Sequence, residues 1–399
     1  MQAVEMKHQP LQLIIFRGDD VEIAPYEEAL VRALQGGKDA GSYLATGDDL
    51  GIQLRLFSNA PKFSPAESLS GFCHTVVLVF IDRTLIKKAS KKFWNWIRKY
   101  YREVQASSDR CTLVPFALEE QSARAFTEKA GDLQYAQVVI ASSFGEPAVR
   151  PAIAALNALH HCRMQLSNSI GTIANNPATN LTLFISHAKA DGLPLAQALL
   201  HQIAALGLTT FYDAKDIPAG SFWPEELERG VGNSVIIILR TNIYESRPWC
   251  QQEVKWADEY ATPAVLVDAR TSLTYGATTL PLDRAPSVRI PDGNLFRILF
   301  VALRESLRFM LFVVRVTQMK RNGDLSEDCE VKAFSFQPSM AALLRACNSL
   351  ATSAAPQKMI IYPDPPLRAG LYEAANALVN EAAPGTKLVT PETISAMGA

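Results

Sequence analysis

Four signatures that carry common chemistry are missing. No GxGxxG, GxxxxGK[ST], GxSxG or HExxH occurs in the 399 residues. A Rossmann dinucleotide turn, a P-loop, a hydrolase nucleophile elbow and a zincin helix therefore lack their physical parts. Charge of one sign is also lacking, since 39 basic and 40 acidic side chains leave a net charge of −1. No global field draws the chain to nucleic acid or to anionic lipid. The six cysteines, at 73, 111, 162, 250, 329 and 347, form no CxxC pair, which argues against a zinc ribbon and a dense disulfide framework. The opening MQAVEMKHQP has no apolar core of the kind a secretory signal needs. Scattered thiols without such a signal set the expectation of a reducing cytoplasm.

Long apolar runs are missing too. The most membrane-like stretch, 295–316, is interrupted by Arg297, Arg304, Arg308 and Arg315. Spacings of seven, four and seven put these arginines on one helical face. The expectation is an amphipathic helix packed on a domain. A bilayer span needs about 20 uninterrupted apolar residues, so no membrane partner is expected.

What is present is ordinary globular material, 48% hydrophobic and 20% charged. Short apolar strands alternate with helical patterns in three blocks, which implies parallel sheets covered by helices. In the middle block LTLFIS (181–186), LTTFYD (208–213), VIIIL (235–239) and AVLVDA (264–269) read as strands buried on both faces. They recur about every 27 residues, room enough for a crossover helix. Ser246 is the expected N-cap of the helix after the third strand, with Pro248 in its first turn. The first block offers LQLIIF (11–16), IQLRLF (52–57), TVVLVFI (75–81), TLVPFAL (112–118) and QVVIAS (137–142). The last block has only three strands in about 70 residues and would stand alone poorly. It is expected to pack on, or complete, another domain. The small, polar stretch QLSNSIGTIANNPATN (165–180) reads as a boundary. The expected organisation is therefore an α/β domain at 1–165, a linker at 166–179, a second α/β domain at 180–316, a linker at 317–330 and a small α/β region at 331–399. The fold class is flavodoxin-like, parallel sheets with helices on both faces.

Three clusters invite a chemical reading. His160, His161 and Cys162 share an apolar helix, but metal ligation needs a further ligand, so packing is the simpler reading and no metal is expected. KKASKKFWNWIRKYYR (87–102) holds seven basic residues and no acidic one. Aromatic and basic side chains together stack bases and neutralise phosphates. The simpler reading is a helix with a solvated lysine face, and an anionic ligand or nucleic acid would be sought there. WCQQE (249–253) places Trp249 and Glu253 at i and i+4 on one helical face. An indole packs on a flat cationic ring, and a carboxylate steadies the oxocarbenium-like charge that develops as a base leaves ribose. On those two residues alone, a surface Glu beside a half-buried Trp is the simpler reading. The setting adds weight, because FISHAKADG (184–192) and YDAKDIPAGSFWPEEL (212–227) lie at the carboxyl ends of strands, where open α/β sheets bind ligands.

LFISHAKAD at the first strand, GLTTFYDAKDIPAGSFWPEELERGVGNS through the second, VIIIL, and SRPWCQQEVKWA together resemble the TIR (Toll/interleukin-1 receptor) domain family in its bacterial form, over roughly residues 178–310. The resemblance implies cleavage of NAD+ as substrate, with no cofactor, releasing nicotinamide and leaving linear or cyclic ADP-ribose. It implies that Glu253 is the catalytic residue. It implies that Trp249, Ser186, His187, Phe222 and Trp223 bind substrate. The loop Asp216, Ile217, Pro218, Ala219 and Gly220 would pack against a neighbouring copy in a homo-oligomer or filament and complete the site. The family setting implies anti-phage defence, switched on by an activating partner protein or a nucleotide signal. A non-enzymatic adaptor that assembles through the Pro218 loop is the alternative, and an enzyme acting on free nucleosides is a third reading. One departure is Arg240 where the family often has serine. The first block is similar to the same family more weakly, with Trp94 followed four residues later by Arg98 and no glutamate.

Overall fold

The structure is a computed structural model that describes residues 9–18, 21–35, 49–58, 72–106, 110–131, 138–144, 146–170, 181–206, 209–211, 223–271, 285–290, 295–334, 336–364 and 366–397. It divides into two compact units, Met1–Ala174 and Asn175–Ala399.

The first unit is built on five parallel strands: β1 (Gln9–Phe16), β2 (Gln53–Phe57), β3 (Phe72–Ile81), β4 (Cys111–Ala117) and β5 (Val139–Ile140), in the order β2-β1-β3-β4-β5. β3 is buried on both faces, so its apolar run carries no polar alternation. Val77, Val79 and Ile81 meet α2 (Arg83–Lys88), α3 (Lys91–Ala106) and α4 (Glu120–Ala130). On the opposite face Phe80 meets Tyr26 of α1 (Ala24–Gln35). In α3 the aromatic side chains Phe93, Trp94, Trp96 and Tyr100 are buried in this core, while Lys91, Lys92, Lys99 and Arg102 are exposed. The helix therefore keeps its cations outside, and those four rings are not placed to stack on bases.

α5 runs from Arg150 to Ile170, so the boundary expected to start at 166 begins inside a helix. Gln165 and Ser167 look like loop residues but are buried, and Ser167 Oγ donates to the Met164 carbonyl at 2.8 Å. A serine bonded to its own helix is tolerated mid-helix. Residues 171–180 lie outside those described. The His160–Cys162 cluster sits on this helix. Burial pushes His161 down to about 4 and the Cys162 thiol up to about 12, so both are neutral packing groups near pH 7.

In the second unit β6 (Thr182–His187), β7 (Thr209–Phe211), β8 (Val235–Arg240), β9 (Ala264–Asp268) and β10 (Ser287–Arg289) form a parallel sheet in the order β10-β9-β8-β6-β7. Read from the first strand of each unit, this is the same 2-1-3-4-5 order as in the first, the flavodoxin-like arrangement. Every residue of β8 is buried. Ile236 and Ile238 pack against Leu227 and Val231 of α7 (Trp223–Gly232) and Val254 and Trp256 of α8 (Pro248–Glu259). α6 (Leu193–Ala205) buries Leu199 and Ile203. β10 has no counterpart among the expected strands, because three residues with exposed Ser287 and Arg289 leave no apolar run to read.

α9 (Leu295–Arg321) is longer and more enclosed than its arginine stripe suggests. Arg304 is 2% exposed, and eighteen of its residues are buried. One reason is that the helix serves two layers. It packs on β8 and β9, and its Phe312, Val316 and Met319 reach a second sheet. The linker expected from 317 therefore starts inside this helix. No described helix is long and apolar enough to cross a bilayer.

That second sheet is β11 (Cys329–Ala333), β12 (Gln357–Ile361) and β13 (Thr386–Val389), all parallel, with α10 (Met340–Ala351), α11 (Ala369–Ala382) and α12 (Pro391–Met397). It belongs to the same unit as the middle sheet, and charged contacts join the two. Arg345 of α10 pairs with Glu228 of α7 at 3.0 Å and Glu259 of α8 at 2.8 Å, and its guanidinium lies 3.7 Å from the Tyr260 ring centroid. Ser339 at the head of α10 donates to Asp258 at 2.7 Å. With 37% of the Arg345 side chain exposed, solvent weakens both ion pairs. Arg345→Ala is expected to cost on the order of 1–2 kcal/mol, less at high salt. Urea unfolding should show a lower midpoint with an unchanged slope.

Candidate active site

The site lies at the carboxyl ends of β6 and β8 and the first turns of α8. Pro248 at the first helical position forces the preceding Arg247 into extended backbone (φ −95°, ψ 116°). Arg247, rather than the expected Ser246, is therefore the N-cap. Ser246 closes a short 3-10 turn, Tyr244–Ser246, and its hydroxyl donates to the Ile243 carbonyl at 2.6 Å. The α8 helix then carries Trp249 and Glu253 on one face.

Both side chains border a cavity of about 440 Å³, together with Phe184, His187, Lys189 and Arg247. A volume of that size suits a small-molecule site. Trp249 is 45% exposed, although it is a large apolar ring. Glu253 is half-buried and accepts a hydrogen bond from Ser186 at the end of β6. Ser186 is 1% exposed and does not itself border the cavity. It stands behind Glu253, and its Oγ lies 2.5 Å from the hydroxyl of buried Tyr244. His187 is 8% exposed, with Nδ1 3.3 Å from the Ile185 carbonyl.

The loop after β6 is fastened to the turn after β8. Asp191 accepts from Thr241 Oγ1 at 2.6 Å and from the Ile243 amide at 3.2 Å. Gly192 allows the close return of that loop, because a Cβ there would meet the Ala188 carbonyl oxygen at 3.0 Å and His187 Cβ at 3.2 Å. These ties hold the ends of β6 and β8 at the register in which Ser186 pairs with Ile238.

Two groups beside Glu253 stay neutral. Burial, then the nearby Glu253 charge, pushes the Tyr244 hydroxyl well above its ordinary range, and the same two causes push the Cys250 thiol up to about 12. Neither group becomes an anion near pH 7. Lys189 and Arg247 bring positive charge to the same cavity, and the amino end of α8 adds a partial positive charge.

The structure thus brings Trp249, Glu253 and His187 to one cavity, with Ser186 in contact behind. Phe222 and the loop from Asp216 to Gly220 lie outside the described residues, and Trp223 opens α7. Arg240, the departure from the family pattern, lies away from the cavity. It is 5% exposed, pairs with Glu245 and does not border the cavity. Tyr244 and Arg247 went unread in the sequence. Tyr244 carries no motif, since its position depends on β6 lying beside β8. Arg247 was legible in principle, because a residue before Pro248 must stand at the helix mouth.

The corresponding region of the first unit is filled. Phe16 of β1 pairs with Val79, two residues before the end of β3, as Ser186 does with Ile238 before the end of β8. The Phe16 ring packs on Phe57, Phe93 and Trp96, at centroid distances of 5.6, 5.6 and 4.9 Å. Trp94 is 7% exposed, and Arg98 donates to Asn95 at 2.8 Å. Rings occupy the place of the Ser186 hydroxyl, and no carboxylate follows the tryptophan by one turn.

Among the described residues no group of three or more His, Cys, Asp or Glu side chains is placed to hold a metal ion. A search of curated proteins finds no match to the chain. Residues 183–273 match the family model of the TIR domain, a span that opens in β6 and closes just beyond β9. The strand order, the helix carrying Trp249 and Glu253 and that match agree: this segment of the chain is a TIR domain.

Proposed function

We propose that the TIR domain cleaves the bond between nicotinamide and ribose in NAD+. The observation that carries this reading is Glu253, a half-buried carboxylate held by Ser186 at the wall of a cavity it shares with the Trp249 indole. Nicotinamide is a good leaving group, because the C–N bonding pair passes to its ring and neutralises the pyridinium charge. The ribose carbon is left with oxocarbenium character. Glu253 lies where its negative charge stabilises that cation, and the exposed Trp249 face offers a stacking surface to a flat ring. Water then attacks the sugar and loses its proton to solvent, or the adenine of the same molecule attacks and gives a cyclic product. Neither route needs a metal or a second carboxylate. The adaptor reading offers no reason for a carboxylate and an indole to share a cavity. Comparing nicotinamide release by wild type and Glu253→Gln tests the proposal.

The resemblance further supports self-assembly of TIR domains through the Asp216–Gly220 loop, a cytoplasmic location and a role in anti-phage defence. Each belongs to the same proposal.

Lys189 and Arg247 favour a substrate with phosphates over a bare nucleoside. Arg247→Gln is expected to raise KM for NAD+ by about 10-fold, the effect of one charge-assisted hydrogen bond, and to leave KM for nicotinamide riboside within about twofold. Equal changes for both substrates would remove the phosphate from this reading.

A further inference from the structure

We infer that Tyr244, reaching the carboxylate only through Ser186, is a positioning residue for Glu253. The inference rests on the proposed NAD+ cleavage for its kinetic meaning, and on geometry alone for its structural meaning.

Ser186 has a single hydroxyl proton and two oxygen neighbours, the Glu253 carboxylate and the Tyr244 hydroxyl. An ionised carboxylate only accepts, so the serine proton goes to Glu253. The Tyr244 proton then goes to Ser186 Oγ, because its other neighbour, the Cys250 carbonyl, is at 3.5 Å. The chain has one direction, Tyr244 to Ser186 to Glu253. Tyr244 is 0% exposed, so no water competes for its hydroxyl. Each donor strengthens the next by polarising it.

Three elements are needed, and none is redundant. Ser186 comes from β6, Tyr244 from the turn after β8 and Glu253 from α8. Asp191 fixes that turn through Thr241 and the Ile243 amide. The result is a carboxylate whose rotation is fixed before substrate arrives. Fixing it matters most when positive charge develops on the sugar, so loss of the chain should lower kcat and leave KM nearly unchanged. The other ionisable groups facing this region are His187, Lys189 and Arg247 at the cavity and Cys250 below it.

A double-mutant cycle tests this. Ser186→Ala is expected to lower kcat for NAD+ cleavage about 10- to 100-fold, and Tyr244→Phe about 3- to 10-fold, both with KM within about twofold. The double variant should be no slower than Ser186→Ala, since tyrosine acts only through serine. Independent, multiplying effects would overturn the inference and point to packing. Ser186→Thr, which keeps the hydroxyl, should recover most of the rate. A second readout does not depend on catalysis. The carboxyl carbon of Glu253, followed by NMR in the free protein, should titrate at higher pH in Ser186→Ala than in wild type. An unchanged midpoint overturns the positioning role, even if NAD+ is cleaved. A shifted midpoint with no nicotinamide release by wild type would uphold the chain and overturn the activity.

Discussion

Glu253→Gln is expected to release nicotinamide from NAD+ on the order of 10³-fold more slowly than wild type, with a melting temperature equal to or above it. The two expectations belong together. The carboxylate is half-buried beside Phe184, Trp249 and the buried Tyr244, where a charge gains little from its apolar neighbours. The neutral amide keeps the shape and still accepts from Ser186, so folding loses nothing large. Catalysis loses the charge itself, the only part that stabilises a ribosyl cation. A structural glutamate would behave the opposite way, with activity retained and melting lowered. Rates read with the enzyme dilute and then concentrated would show whether assembly is also needed.

The sheets were readable because burial on both faces erases polar alternation, as in VIIIL, where all five residues are enclosed. Most other differences have one cause, that tertiary contact decides exposure. The arginines of α9 share a face by spacing, but Arg304 is enclosed. Gln165 and Ser167 are loop formers by composition, yet α5 continues through them. The expected docking of the last block could be argued from its small core, whereas Arg345 as the agent could not, because Glu228 and Glu259 lie far away in sequence. The site divides the same way. Trp249 and Glu253 were visible together because a helix repeats every 3.6 residues. Tyr244 was invisible because its role depends on three elements at once.

The two sheets with one strand order give a built-in comparison. In the TIR domain the end of the first strand carries Ser186, and the tryptophan one turn before the acid is exposed. In the first unit the same strand position carries Phe16, and Trp94 is buried beside Phe126, with ring centroids 5.8 Å apart. A buried indole stabilises a core, and an exposed one is available to a ligand. The first unit has used its aromatic helix for packing, which is incompatible with cleaving a nucleotide there by the same means.

Trp249→Ala is therefore expected to act on substrate rather than on folding. A ring 45% exposed holds little of the core together, so the melting temperature should move by less than a core truncation would. The loss falls on binding and alignment. Stacking of one flat ring on an aromatic side chain is worth about 1–3 kcal/mol, so kcat/KM for NAD+ should fall about 5- to 150-fold. Trp249→Phe keeps a smaller face and should lose less. The indole also reports binding directly: binding of NAD+ to Glu253→Gln should quench tryptophan fluorescence, and Trp249→Ala in that background should abolish the quenching without unfolding the protein. Retained quenching would place the nicotinamide elsewhere, and the carboxylate and the ring would then have to be assigned to different substrates.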